Sequence, residues 1–294
     1  SVFYTMKCIM GILFFGFDWL INNFKLRSIK IGDLIYDTFT RYNHKYINPI
    51  VDLALINIIF KSTFRTIKSL DLLKNYRPKM ILIGTDGYCY NDGIMMRIGI
   101  EKKIKVLEFQ QDFLDENFDY NINFGKDYLK KKKKYLKNKI SFKKLQKHYS
   151  LKINNKTKNA FTDLYYLANK NKNQKIVKEK FIKKYTNKSY FKKIVMIAPH
   201  AFSDAPHAAG KLIFRDYYHQ LKETLKFLKK NKSLNDVLWI VKIHPGAFVY
   251  GEEIIYKNLL GKYLSNNIID CPKNINTHNL ISICDNVITS RSSV

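Results

Sequence analysis

The sequence predicts an α/β protein of two domains, and three observations carry that expectation. Short apolar runs of strand length, Lys79–Ile83, Lys193–Ala198 and Asp236–Ile243 among them, alternate with stretches of helical apolar spacing. The runs end abruptly in Gly, His, Asp or Ser, as buried parallel strands do where they reach a crevice. A chain of 294 residues, 46% of them hydrophobic, can bury two cores of ordinary size. The expected division is a first domain over 1–150, a Lys/Asn-rich helical connection over 151–190, and a second domain over 191–294.

Taken in order, residues 1 to about 30 alternate apolar and aromatic runs and read as a buried helix. The apolar run Cys8–Phe17 is ten residues long before Asp18 interrupts it, short of the roughly 20 a membrane span needs. No cationic stretch followed by a small-residue cleavage site precedes it, which argues against a secretory signal. Gly32-Asp33 supplies a turn and an N-cap for a second helix, with Tyr36 and Asp37 as candidate cleft residues one turn on. From Asn48 to Leu73 apolar residues recur at helical spacing, as in Val51, Leu55, Ile58 and Ile59, until Pro78 breaks the pattern. Lys79–Ile83, Gly93–Ile100 and Ile104–Phe109 then read as strand, helix and strand, a βαβ unit. That unit places Asp86 at the carboxyl end of its first strand. Asp92, in Asn91-Asp92-Gly93, reads as a helix cap and competes with Asp86 as the functional acid.

Residues 126–190 are rich in Lys and Asn and read as a solvated helix and a helical connection. The second domain opens on the buried strand Lys193–Ala198. Helices over Asp216–Leu228, Glu252–Tyr263 and Asn279–Cys284 alternate with strands at Asp236–Ile243, Ile268-Ile269 and Asn286–Thr289. This alternation is that of a doubly wound sheet. Two of its segments carry the chemistry: Lys242-Ile243-His244-Pro245 and Ser290-Arg291-Ser292-Ser293 each follow a predicted parallel strand. Cations and hydroxyls without a carboxylate suit a phosphate. A third segment, Pro199–His207, holds His200, Asp204 and His207. Imidazole beside a phosphate is a donor, or a general acid for a leaving phosphate. The spacing of the two histidines and the prolines between them do not fit the usual helical metal pair, and the expected metal complement is none.

The charge balance is extreme, 52 Lys+Arg against 24 Asp+Glu, a formal +28. It fits a polyanionic partner, whether nucleic acid, anionic lipid or acidic glycan, and equally the compositional bias of an AT-rich coding sequence. No nucleic-acid-binding motif accompanies it. The four cysteines, Cys8, Cys89, Cys271 and Cys284, form no metal or redox spacing and no disulfide framework, as expected of a reducing cytosol. The chain begins at Ser1 and stops at Val294 inside a predicted functional loop, so a longer protein cut at both ends is expected.

Several segments together resemble bacterial capsular and surface polysaccharide biosynthesis proteins. They are Ile31-Gly32-Asp33-Leu34-Ile35-Tyr36-Asp37, the block His200 to His207 with Phe214-Arg215-Asp216-Tyr217-Tyr218, Lys242-Ile243-His244-Pro245, and Thr289 to Ser293. Such proteins are similar to glycosyltransferases of the GT-B arrangement, two facing Rossmann-like domains, and distantly to bacterial polysialyltransferases and Kdo transferases. The resemblance implies an inverting, metal-independent transferase using a nucleotide-sugar donor and a glycan or lipid-linked acceptor, with no cofactor besides the donor. It implies donor binding by His244-Pro245 and Ser292-Ser293, joined by His200, Asp204, Lys242, Ser290 and Arg291. It implies an acidic base in the first domain, which Asp86-Gly87 or Asp92-Gly93 could supply; Asp86 is the candidate, and His207, from the imidazole reading above, is the second catalytic residue. Asp33, Tyr36, Asp37 and Asp92 would then lie on the acceptor side. Many relatives carry Gly-Thr where this chain has Ser292-Ser293. The expected setting is the cytoplasm, peripheral on the inner face of the membrane. Two alternatives share the residues: a nucleotide-sugar epimerase of the same architecture, and a non-enzymatic basic protein that binds polyanions.

Overall fold

The structure is a computed structural model that describes residues 1–43, 47, 49–76, 78–83, 92–110, 113–116, 174–188, 190–207, 212–272, 275 and 277–289. It is a mixed α/β protein with parallel strand pairing. The chain divides into two compact units, Ser1–Leu129 with Phe202–Gln220, and Lys130–Ala201 with Leu221–Val294. This differs from the expected division in one respect that matters below: residues 202–220 belong with the first unit.

Among the described residues the main core of unit 1 forms around the helices α1 (Val2–Asn23), α2 (Gly32–Asn43) and α3 (Leu53–Asn75). A two-stranded hairpin, β1 (Lys25–Leu26) and β2 (Ile29–Lys30), joins α1 to α2. Its entry is tight: the backbone N–H groups of Ile31 and Gly32 both donate to the Phe24 carbonyl. A Cβ on Gly32 would collide with the Leu20 carbonyl oxygen and lie 2.9 Å from Phe24 Cβ, so only glycine lets the two helices approach so closely. Every residue of α2 from Gly32 to Thr40 is buried, although four of the nine are polar or charged. Such a helix is stable only if those groups find partners. α3 begins at Asp52, whose carboxylate accepts from Leu55 N at 2.9 Å, an N-cap that satisfies one of the helix's free donors. The core joins Cys8, Leu20 and Phe24 to Ile35, Phe39, Leu55, Ile59 and Leu70.

The expected βαβ unit is present. β3 (Met80–Ile83) pairs in parallel with β4 (Lys105–Gln110) across α4 (Asp92–Glu101), and β5 (Phe113–Glu116) adds an antiparallel strand. The expectation that β3 is buried on both faces is not met. Its residues alternate exposed and buried, with Ile81 and Ile83 inward on Met96 and Met80 and Leu82 outward. Residues 84–91, and Asp86 with them, lie outside the described residues.

Unit 2 is a parallel four-stranded sheet of β6 (Lys193–Ala198), β7 (Val237–Val241), β8 (Ile268–Asp270) and β9 (Asn286–Thr289), in the order β8-β7-β6-β9. Among the described residues its helices are α5 (Gln174–Tyr185), α6 (Tyr217–Lys230), α7 (Pro245–Val249), α8 (Glu253–Gly261) and α9 (Thr277–Ile283). The division between units falls inside α6. Strands β6 and β7 are buried along their apolar runs because side chains on both faces are covered. Ile194, Met196, Leu238 and Ile240 meet Phe181 of α5 and Leu280 of α9 on one face. β9 departs from expectation: all four of its residues are exposed, because among the described residues it is an edge strand with β6 as its one neighbour.

The order of strands along the chain reverses at β6. From β6 the chain steps outward to β7 and β8, then returns to lay β9 on the other side. Ligands of open parallel sheets bind at such switch points, outside the carboxyl ends of the strands.

Gly32 offers a direct test of the α1–α2 approach. Gly32→Ala is expected to destabilise unit 1 by about 3 kcal/mol or more, since backbone rather than a movable side chain blocks the new methyl. Chemical denaturation monitored by circular dichroism measures it.

Candidate functional site

One face of α2 carries Asp33, Tyr36, Asp37 and Arg41, spaced at three, four and eight residues, so all four side chains point the same way. Each has a specific partner within unit 1. Asp33 accepts from both terminal guanidinium nitrogens of Arg97 on α4, at 2.5 and 3.0 Å, and Arg97 also donates to the Lys30 carbonyl at 2.8 Å. Asp37 accepts from the backbone N–H of His207 at 2.9 Å and lies 2.6 Å from His207 Nδ1. The Tyr36 hydroxyl donates to Asp216 Oδ2 at 2.6 Å, and Asp216 Oδ1 takes the backbone N–H and Nδ1 of His219, both at 2.8 Å. Arg41 reaches Asp204 at 3.1 Å. The row continues outward with Arg215 on Asp18, also at 3.1 Å.

Burial makes these contacts decisive. Tyr36 and Asp216 are 0% exposed, Asp37 1% and His207 4%. A charge removed from water to that degree is tolerated only when paired and hydrogen-bonded. At Asp33, burial alone would raise the carboxyl pKa, but the charge and hydrogen bonds of Arg97, with Lys30 behind it, hold it below the usual carboxylate range. Burial alone would lower the pKa of His207. The charge and hydrogen bond of Asp37 outweigh it and raise the imidazole above its ordinary value. Burial likewise pushes Asp37 up, partly offset by His207. The two directions describe one proton held by the pair more tightly than either group would hold it in water. Burial, then the Asp216 carboxylate, raises the Tyr36 phenol well above its ordinary value, so it stays a donor.

The second cluster stands at the carboxyl edge of the unit 2 sheet. His200 follows β6 and His244 follows the adjacent β7. Their rings stack with centroids 5.0 Å apart and planes 9° from parallel. His244 is the N-cap of α7, with Pro245 in the first turn, and its Nδ1 accepts from Gly246 N at 3.0 Å. A nitrogen that accepts carries no hydrogen, so the ring hydrogen of His244 sits on Nε2, available as a donor. Gly246 suits this closeness, since a Cβ there would lie 3.0 Å from that Nδ1 and push the ring by a few tenths of an ångström. Tyr256 braces the edge from α8, donating to Val241 O at 3.2 Å and lying 3.3 Å from Asp270. Thr289, the last residue of β9, registers with Ala198 of β6, on the other side of the switch point.

The sequence-predicted site residues therefore separate. His200, His244 and Pro245 stand together at the carboxyl edge of the unit 2 sheet. Lys242 follows the same strand as His244 but is otherwise engaged: its ammonium donates to Ile275 O at 2.6 Å and lies 3.8 Å from Cys271 Sγ, holding the segment after β8. Asp204, expected with the donor, and His207, expected as a catalytic residue, are in unit 1, where their side chains meet Arg41 and Asp37 of α2. His207 is no exposed general acid, since Asp37 holds its Nδ1 and its backbone N–H in the core. Asp33 accepts from Leu34 N at 3.1 Å but serves chiefly as the partner of Arg97 rather than as a helix cap. Asp92 is the first residue of α4, as a helix-start acid should be. Asp86 and Ser290, Arg291, Ser292 and Ser293 lie outside the described residues. Among the described residues no three His, Cys, Asp or Glu side chains gather as a metal site.

Sequence reading missed Arg97 and His219. Arg97 had a visible signal, a lone cation within the apolar run Ile94 to Ile100. His219 sits three residues after Asp216 at the start of a helix, the spacing of a cap and the residue it binds.

No protein-family model, curated protein or solved structure matches the chain.

Two outcomes follow from the row on α2. Arg97→Met alone removes the principal partner of buried Asp33 and is expected to cost about 3 kcal/mol, while Arg97→Met with Asp33→Leu should regain most of that loss; urea unfolding of the three proteins measures it. The pH dependence has a definite sign. His207 gains affinity for its proton on folding, so its contribution is fully present below its ordinary 6.5 and is lost as pH rises through the raised value. Asp37, also raised, acts in the same direction. Asp33, lowered, contributes above its ordinary 3.8 and loses that contribution as pH falls. Thermal stability is therefore expected to fall as pH rises above about 6.5, and Asp37→Asn with His207→Gln should flatten that decline.

Proposed function

We propose that this chain is a metal-independent, inverting glycosyltransferase that takes a nucleotide-sugar donor in the assembly of a surface polysaccharide, its two units serving as the Rossmann-like domains of a GT-B enzyme. The observation that carries the proposal is the His200–His244 stack beside the switch point of the unit 2 sheet. Two imidazoles at the ends of adjacent parallel strands, one with its Nε2 hydrogen free of the cap contact, suit the diphosphate or phosphate of a nucleotide-sugar. The Ser290–Ser293 segment continues directly from Thr289, whose register with Ala198 brings that strand end beside His200's strand. Its hydroxyls and the Arg291 guanidinium would add donors where charge develops on the leaving phosphate.

The chemistry then needs a base for the acceptor hydroxyl. Asp86 comes three residues after Ile83, the last residue of β3, in the sequence, and is the candidate for that role. Its carboxylate would take the hydroxyl proton as the new glycosidic bond forms, while the nucleotide leaves with its electron pair onto phosphate. Asp37 and His207 are left out of the chemistry. They hold the fold in which the site is built.

Thermal stabilisation across CMP-, UDP- and GDP-linked sugars tests the donor site, since a bound ligand raises the melting temperature by mass action. One nucleotide class should stabilise unit 2. His244→Ala should weaken that nucleotide about tenfold, and the lost α7 cap should cost the free protein only about 1 kcal/mol. Stabilisation by none of the three, or an unchanged affinity in His244→Ala, would count against the assignment. For the base, Asp86→Asn should lower turnover by about 10²–10⁴ and leave donor affinity nearly unchanged. No Asp-x-Asp triplet is present to hold a divalent ion on a diphosphate, so turnover is expected to survive a chelator.

A further inference from the structure

Helix α1 has two apolar faces. One, with Cys8, Ile12, Leu20 and Ile21, is buried in the core of unit 1. The other presents Phe3, Met6, Met10, Leu13, Phe14 and Phe15 to solvent, with Phe3 and Phe14 each 72% exposed. Monomeric proteins seldom leave so long a contiguous apolar row uncovered. By length and composition alone α1 resembles a bilayer span, but its helical backbone breaks at Gly16 (φ 77°, ψ −178°). Its buried face argues against a span. Thr5 hydrogen-bonds Thr63 of α3 at 3.2 Å, and the core contacts of α1 would have to break for lipid to surround it.

Charge says what covers the row. From Ser1 to Phe17 there is no acidic residue, and Lys7 stands exposed among the apolar side chains. α3, which α1 touches, has no acid from Leu53 to Ser69 and exposes Phe60, Lys61, Phe64, Arg65 and Lys68. Phe60 and Phe64 stack, and the Lys68 ammonium lies 5.7 Å from the Phe64 ring centre. Aromatic rings with cations alongside and no anions are the composition of a surface that seats its rings at the level of lipid headgroups and its cations on phosphates. A second protein would need its own acidic, apolar groove to match; an anionic bilayer presents both properties everywhere.

We infer that unit 1 docks on anionic membrane through the exposed row of α1, which lies in the interface, while Lys7, Lys61, Arg65 and Lys68 meet the headgroups. The inference stands independently of the donor site in unit 2.

Co-sedimentation of the chain with vesicles of phosphatidylcholine, with and without phosphatidylserine, tests it. Binding is expected with phosphatidylserine, weakening as salt rises, and little with phosphatidylcholine alone. Phe3→Ser with Phe14→Ser should abolish it. Lys61→Gln, Arg65→Gln and Lys68→Gln together should weaken it about hundredfold, since each cation near an anionic surface contributes about 1 kcal/mol. All these positions are exposed, and unchanged thermal unfolding confirms that the variants fold. Equal binding to both vesicle types, or binding to neither, would overturn the inference. So would a concentration-dependent dimer, seen by sedimentation velocity, that Phe3→Ser with Phe14→Ser dissolves while vesicle binding is absent.

Discussion

The contact on which unit 1 depends is the pairing of Asp37 with His207. Two ionisable groups, both almost wholly removed from water, share a proton and a backbone hydrogen bond at the centre of α2. Neither is tolerable without the other, because a single buried charge costs several kcal/mol. The pairing therefore fixes where residues 202–220 must lie. The contacts on either side follow from it, Arg41 with Asp204 and Tyr36 with Asp216, and Asp216 in turn organises His219 at the start of α6. A helix with four polar residues among nine buried ones is a poor core element by itself. It becomes a specific one because each polar group selects a single partner, which an apolar helix of the same length would not do.

Unit 2 rests on a different constraint, the parallel sheet. Its two central strands are apolar along their buried length, so polarity can appear only where they end. The histidines after β6 and β7 are brought together by strand adjacency alone, although 44 positions separate them in the sequence. The cap of α7 then fixes one ring, and the stacking fixes the other. The edge is thus set by strand adjacency together with the contacts of the two rings.

Much of this was legible in the sequence, and what was not has a physical reason. The strands of unit 2 were clear because a strand buried on both faces must be a continuous apolar run. The βαβ unit was clear for the same reason, but β3 alternates, and four residues are too few for periodicity to separate a half-buried strand from a buried one. Asp33, Tyr36 and Asp37 stood out on a buried helix, yet their partners lie 64 to 180 residues away, and no local pattern encodes such a pairing. Contiguity with β6 drew Asp204 and His207 into the second unit, when the chain crosses between units just after His200. Lys242 follows a strand, the place of a phosphate ligand, but a long flexible side chain can also turn to a nearby carbonyl, and here it does. The exposed row of α1 was hidden because an apolar helix reads as buried whichever face is covered.

The return of the chain to unit 1 also constrains the order in which the protein can be finished. Tyr36 and Asp37 leave the ribosome some 170 to 180 residues before the partners that neutralise them. At about 5–20 residues per second that interval is about 10 to 35 s. Throughout it α2 cannot be buried without stranding a carboxylate, so the N-terminal helices must wait, partly hydrated, for a segment made after the first strand of the other unit. Folding here is completed from the far end, and a fragment ending near residue 150 would hold the helices of unit 1 but not the residues that let them close.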